Sequence, residues 1–494
     1  MSLARSVGNP VKAVRGDFII LLAAALFFIA FFSLAYLKFR SHNTLVDLPI
    51  YSHAMWNTLH GRLMFTTTVY IPEGYNHLGD HLSLTLLLFL PVYALFPSPI
   101  TLLLIQSFFL VIGAFPIYRL AKERLGERAA LLFAAAYLLH PTLWYSNLND
   151  FHLTSIAAGL VSFAFYYCYK KEYRKFLVFL GLILGTKEDL ILLGVTFGAY
   201  IYFVNRDKLL GAVVAGGSLL WFIVAIKFLM PYFRGDVFEA PELYLTTRYG
   251  YLGSTFSEVV RTIVFHPMTV ISNVVTLPKM AYLVSLLLPV LFLPLLSLKV
   301  LFLLSPVLAE NLLSSYLWQY LPTTQYSTVM IPVLYAAGVL GAHRVKAERR
   351  KLVVLAVLMA SLFSNLAYGP PPQGLVWKIG PGIESSYAYL SFTVDYRDIA
   401  ADKVLAMIPE DASLAASSNL LIHAPMRERM YQTLFVDVSF IQENVDYVLF
   451  DTEGYFYRKF DHEEGLLREL SSSPGFSVVW NESGYVLFVR RAAS

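Results

Sequence analysis

At 494 residues, 57% of them hydrophobic and 15% charged, the chain is too apolar for a soluble globular protein; long apolar runs recur from residue 18 to residue 368, as in a polytopic helical membrane protein. The net charge of +4 is small and its basic residues stand in short clusters between apolar runs, which argues for membrane topology and against a nucleic-acid partner. The single cysteine, Cys168, excludes an intrachain disulfide and reads as a buried, inert thiol.

Basic Arg5, Lys12 and Arg15 precede an uncharged run at 18–37. That run is long enough to cross the roughly 30 Å hydrocarbon core as a helix. No small-residue cleavage site follows, so it is expected to stay as a first helix with its N-terminus in the cytoplasm. A polar, aromatic-rich segment at 38–80 comes next and carries Asp47 where the chain leaves the bilayer, within reach of a lipid headgroup. After Asp47 stand Tyr51, His53, Trp56, Asn57, His60 and Arg62, then Tyr70, Tyr75, Asn76 and His77. Such rings can stack on a sugar while amides and imidazoles bind its hydroxyls; an interfacial helix with an aromatic belt is the other reading. His77 and His81 lie one helical turn apart with Asp80 between them, a set suited to a divalent cation or to a hydrogen-bonding pair of histidines.

Four basic clusters mark the cytoplasmic side: Arg119, Lys122, Arg124 and Arg128; Lys170, Lys171, Arg174 and Lys175; Arg206 and Lys208; and Arg344, Lys346, Arg349, Arg350 and Lys351. Holding all four inside requires residues 81–96, which contain Pro91, to lie in the outer interface or re-enter. The stretch 176–204 is bracketed by two clusters and must cross twice, as two short helices with a turn at Thr186-Lys187-Glu188-Asp189. Charges at such depth persist when they face a water-filled cavity or pair with one another. The short arms favour a recessed tip over a solvated outer one. Further spans at 99–118, 129–146, 154–169, 209–230, 281–296, 299–313, 327–342 and 352–368 bring the expected count to about eleven. Asp150-Phe151-His152 falls at the outer end of its helix. Residues 38–98 and 231–280 form external loops, the second with Arg234, Asp236, Glu239, Glu242 and Arg248, while Glu310 beside Asn311 is a polar anchor or part of a pocket.

After residue 368 a proline- and glycine-rich loop, 369–374, leads to soluble patterning. A helix at 396–407, helical spacing at 466–470 and strands at 413–416, 447–450, 477–480 and 485–489 predict a small extracytoplasmic α/β domain over 369–494. Asn481-Glu482-Ser483 fits the N-glycosylation pattern. Acids and histidines gather on the predicted outer side, which marks the working face; no internal repeat of the transporter kind is visible.

Several motifs now stand in order: 47–62 with Trp56-Asn57-Thr58-Leu59-His60-Gly61, His81-Leu82-Ser83, Asn149-Asp150-Phe151-His152, Thr186-Lys187-Glu188-Asp189, and 411–419. Through them the chain, from about residue 47 to 450, resembles a family of prokaryotic predicted membrane proteins filed as a domain of unknown function. More distantly, its layout is similar to the GT-C superfamily of membrane glycosyltransferases, including the protein mannosyltransferases and the aminoarabinose transferase of lipid A. Those proteins have an acid in the first external loop, an interfacial helix before the second span, and a short broken pair whose turn commonly reads Thr-Lys-Gly-Pro. Here the lysine matches and the two acids depart from the pattern.

The resemblance implies an all-α, GT-C-like membrane domain over 1–368 that transfers a sugar from a polyprenyl-phosphate donor to a lipid, glycan or protein acceptor on the outer face, with inversion. Asp47 is then the candidate base and Lys187 and Arg248 the candidate phosphate partners. Trp56, Asn57, His77, Asp80, His81, Asp150, His152, Glu188 and Asp189 are expected to line the substrate site. A monophosphate leaving group does not require a metal, and a divalent cation at His77, Asp80 and His81 is the alternative. Two other functions compete: a transporter or lipid flippase gated by Lys187-Glu188-Asp189, and a non-catalytic surface scaffold.

Overall fold

The computed structural model of the chain describes residues 10–44, 46–69, 71, 73–235, 246–370, 372, 392–454 and 461–491. Arg5, Tyr70, Asp236, Glu239, Glu242 and much of the loop at 369–374 lie outside them. Six helices among the described residues are long and apolar enough to cross a bilayer: Gly16–Arg40, Pro99–Leu125, Lys208–Arg234, Leu293–Leu313, Leu317–Arg344 and Ala347–Tyr368. The pair Pro267–Val274 and Leu277–Val290, bent by 62°, makes a seventh if it is one broken span. These helices do not confirm the expected count of about eleven, since a crossing helix needs about 20 apolar residues. Residues 129–146 break at His140, ahead of a helix that Pro141 opens, and Leu153–Tyr169 and Ile191–Asn205 are shorter than that length.

The described part of residues 231–280, expected as an external loop, contains the helices Met230–Arg234, Phe256–Phe265 and Pro267–Val274. Their apolar residues recur at helical spacing instead of forming a continuous run, and Thr255 and Glu258 close a reciprocal cap on the second helix.

Local hydrogen bonds bring the polar segments to one end of the bundle. Helix α1, Pro10–Arg40, ends there, and α2, Asp47–Leu59, starts there. A two-residue ladder, β1 Phe65–Thr66 with β2 Tyr75–Asn76, turns the chain toward a 3₁₀ turn at His77–Gly79, where the Gly79 carbonyl accepts from Arg234 Nε and Nη2 at 3.2 and 3.1 Å. The segment after His81 forms a 3₁₀ stretch, Leu84–Phe89, and a short helix, Leu90–Leu95. Thr85 binds the end of the next short helix, Tyr173–Leu184, through N–H to Gly185 O (2.8 Å) and Oγ1 to Leu182 O (2.6 Å). Trp221 Nε1 donates to Leu184 O at 3.0 Å. Carbonyls at that helix end have no partner within the helix, so these donors let the chain turn there before resuming at Ile191–Tyr200. Packing is close: a Cβ on Gly159 would lie 2.3 Å from the Phe109 carbonyl oxygen of the neighbouring helix.

The C-terminal residues carry a five-stranded sheet in the order β4-β3-β5-β7-β6, with β3 Leu414–Ala416, β4 Met430–Gln432, β5 Tyr447–Asp451, β6 Phe476–Glu482 and β7 Tyr485–Arg490. Strand β3 pairs in parallel with both β4 and β5, and the β5–β7 and β7–β6 pairs are antiparallel. Strand alternation builds two cores: Leu414, Ala416 and Leu449 pack with helix Tyr396–Leu405, and Val448 and Phe450 pack with Val438–Asn444 and Asp461–Ser472. Strand β4 has no counterpart in the sequence reading, since three residues ending in a glutamine give little alternation to detect. Gln432 bonds the sheet to the membrane part at two places, through Nε2 to Val46 O in the α1–α2 connection and through N to Thr68 O just beyond β1, each at 3.2 Å. His53 Nε2 donates to Arg427 O (3.0 Å) and Thr67 Oγ1 to Met430 O (2.7 Å).

Candidate active site

Asp47 is the first residue of α2, where a carboxylate favours the positive end of the helix dipole. Among the described residues no donor stands within hydrogen-bond distance of it. His152 Nε2 is nearest, 3.7 Å from Oδ2, which is beyond hydrogen-bond length. Although 37% of the side chain is open, burial is the main cause that raises the Asp47 pKa to about 7. The Asp150 and Asp80 carboxylates add to the rise and His81 opposes it.

Asp150 is tied to Lys38 at the end of α1 by a buried ion pair of 2.9 Å. The turn that carries Asp150, whose φ is +46°, is held by Gln106 from the helix Pro99–Ile112. Its Nε2 donates to Asp150 O at 2.7 Å and its Oε1 accepts from His152 N at 2.8 Å. Burial pushes the His152 imidazole down to about 3, so it stays neutral beside Asp47.

The turn after the first short helix faces this group. Glu188 accepts from His81 Nδ1 at 2.9 Å and from Leu82 N at 3.1 Å. Burial alone would lower the His81 pKa, but the Glu188 and Asp80 carboxylates override it and hold the ring protonated well above neutrality. Glu188 is held low in turn: burial works against ionisation, and His81 and Lys187 outweigh it. Lys187 Nζ pairs with Asp189 Oδ2 at 3.0 Å and lies 5.6 Å from the centre of the Tyr326 ring. Arg248 meets the other side of that aromatic group, 4.8 Å from the Tyr316 ring and 5.6 Å from Tyr326, and donates to Gln319, which in turn donates to Glu310. Asp47 and the Lys187 turn therefore belong to one polar site: His81, bonded to Glu188, acts on Asp47, and the charges of Asp47, Lys187 and Glu188 all reach Tyr51, whose pKa is raised chiefly by burial.

Other expected residues are placed differently. Asn57 is fully buried; its amide nitrogen donates to Phe65 O (3.0 Å) and its oxygen accepts from Arg62 Nη2 (2.6 Å), so it holds the loop after α2. Trp56 stacks on His60 at 3.8 Å, nine residues along α2 from Asp47. His77 is buried edge-on to Tyr51 (4.9 Å) and 5.9 Å from the His81 ring, with neither nitrogen hydrogen-bonded, and burial lowers its pKa to about 4. His81 is engaged by Glu188, and among the described residues no three His, Cys, Asp or Glu side chains converge as cation ligands. Asp80 is half-buried at the rim of the group. Lys38, Gln106, Tyr316, Gln319 and Tyr326 escape sequence reasoning. Only Lys38, a cation at the end of an apolar run, gives any signal; the others are ordinary polar or aromatic residues until the fold assembles them.

Residues 41–487 match the model of a family described as "Predicted membrane protein (DUF2079)". The chain belongs to this family. It is a multi-pass membrane protein. Compared by sequence with curated proteins, it matches none. Its structure is similar to that of ArnT from Cupriavidus metallidurans bound to undecaprenyl phosphate, at 13% identity over 97% of this chain and 98% of that one, with a TM-score of 0.54; the apo state of the same protein gives 0.51. It is also similar to the Archaeoglobus fulgidus oligosaccharyltransferase tethered with an acceptor peptide containing the NVT sequon, at 14% identity over 96% of this chain and 74% of that one, with a TM-score of 0.50. This family member thus shares its overall fold with these two proteins.

Proposed function

We propose that the chain transfers a sugar from a polyprenyl-phosphate donor to an acceptor hydroxyl, with Asp47 as general base. The observation that carries this reading is an unbonded carboxyl whose pKa is raised to about 7, set in one site with Lys187 and Arg248. A base is most effective when its pKa is near the working pH, and a positioned one contributes about 10²- to 10⁴-fold. Asp47 takes the acceptor proton as the acceptor oxygen bonds to the anomeric carbon, and the bond from that carbon to the phosphate oxygen breaks on the opposite face. The configuration inverts and polyprenyl phosphate departs, its charge met by Lys187 and Arg248. The likeness to ArnT bound to undecaprenyl phosphate supports the donor class.

Asp47→Asn is expected to lower transfer from a polyprenyl-phosphate sugar by about 10²-fold or more while donor binding persists. In the unaltered protein kcat/KM should rise with pH through an acid limb near 7. Both are read from product formation in reconstituted vesicles. Undiminished transfer by the variant removes Asp47 from this role, and donor-independent solute movement would replace the transferase by a transporter.

A further inference from the structure

A basic pocket of about 270 Å³ opens at the end of the bundle opposite Asp47. Helix Leu153–Tyr169 connects the two ends: it begins just after His152 and its last residue, Tyr169, lines the pocket. Its 17 residues, at about 1.5 Å each, separate the two sites by about 25 Å.

Arg124, Lys299 and Arg344 line the pocket together with His343, and among the described residues no carboxylate does. The Arg124 guanidinium lies 5.2 Å from the centre of the Tyr169 ring, and His343 Nδ1 donates to the Arg124 carbonyl at 2.9 Å, so this wall is built by contacts between helix ends. Ser297 also lines the pocket; it is 2% exposed and its hydroxyl has no hydrogen-bond partner. A buried hydroxyl without a partner is costly unless a ligand or water completes it. Next to these residues in the chain, Phe203, Leu296 and Leu298 are exposed apolar side chains. A second pocket, of about 410 Å³, provides the contrast: its Lys122 is already paired with Asp17 at 2.8 Å.

We propose that the 270 Å³ pocket binds the phosphate headgroup of an anionic phospholipid, with the acyl chains lying against the exposed apolar residues. Clustered cations at a membrane face attract anionic headgroups, and arginine and a hydroxyl supply the directed donors a phosphate accepts. The site is independent of sugar transfer.

The test is native mass spectrometry of the full chain in detergent with phosphatidylglycerol or phosphatidylcholine added. Phosphatidylglycerol should be retained preferentially. Lys299→Gln and Arg124→Gln, both at exposed side chains, should each weaken retention about fivefold, and Lys299→Arg should keep it. Arg349→Gln, an exposed basic residue outside the pocket, should leave retention unchanged. Equal retention of the two lipids, or an equal loss in Arg349→Gln, would overturn the proposal in favour of non-specific attraction. Displacement of the lipid by millimolar inorganic phosphate would overturn it in favour of a soluble phosphate ligand.

Discussion

In the folded chain the Asp47 carboxyl keeps its proton until about pH 7, whereas an unfolded aspartate releases it near pH 4. Between those values the folded state binds the additional proton. This residue's contribution to stability is therefore present below pH 4 and is lost as pH rises through 7. Asparagine carries no such penalty, so the melting temperature of Asp47→Asn relative to the unaltered protein should be higher at pH 8 than at pH 4. Thermal unfolding at the two pH values measures it, and a difference that does not grow with pH would mean that Asp47 is not desolvated. Asp150 differs in having a fixed partner: it is buried in an ion pair with Lys38 at 2.9 Å, and its carboxylate adds to the rise at Asp47.

At the level of elements, the site is held by helix ends and the turns between them. The two short helices flanking Lys187 follow from basic clusters on both sides of a stretch too short for two full crossings. Their turn can stay in place because Thr85 and Trp221 satisfy the carbonyls at the end of the first. The turn bearing Asp150 and His152 depends likewise on Gln106, and the helix that follows it packs backbone to backbone through Gly159. Gly159→Ala inserts a methyl group against the Phe109 carbonyl and should destabilise the fold by about 1–3 kcal/mol, read as a lower melting temperature with some loss of transfer. Unaltered stability would mean that the two helices can separate at little cost.

Over the whole molecule, the C-terminal sheet grips the connection that leads to Asp47. Open α/β sheets place ligands at the carboxyl ends of their parallel strands. Here that edge holds the chain itself: Gln432, the last residue of β4, binds the Val46 carbonyl, and the Asn419 carbonyl, just beyond β3, accepts from Thr44 Oγ1 at 3.3 Å. Gln432→Leu removes the side-chain bond to the Val46 carbonyl, a loss of about 1 kcal/mol, and should lower kcat for transfer more than it raises KM for the donor. An unchanged kcat would mean that the sheet does not set the position of Asp47. The amino-acid sequence by itself determined the membrane class, the polar stretch beginning at Asp47, the break at Lys187 and four of the five C-terminal strands, because each depends on local hydropathy, charge or alternation. Its count of about eleven crossings stands beside six or seven helices of spanning length among the described residues, because run lengths do not reveal where a helix bends or packs along an amphipathic face. Only the tertiary structure decided that Asn57 is spent on its own loop, that Lys38 neutralises Asp150, and that Asp47, Lys187 and Arg248 share a site. Lys38 and Asp150 meet across 112 positions of chain, and Asp47 and the Lys187 turn come from separate elements, which no local pattern encodes. The bonds of Asn57 to Arg62 and Phe65 are local but depend on how the loop after α2 folds back.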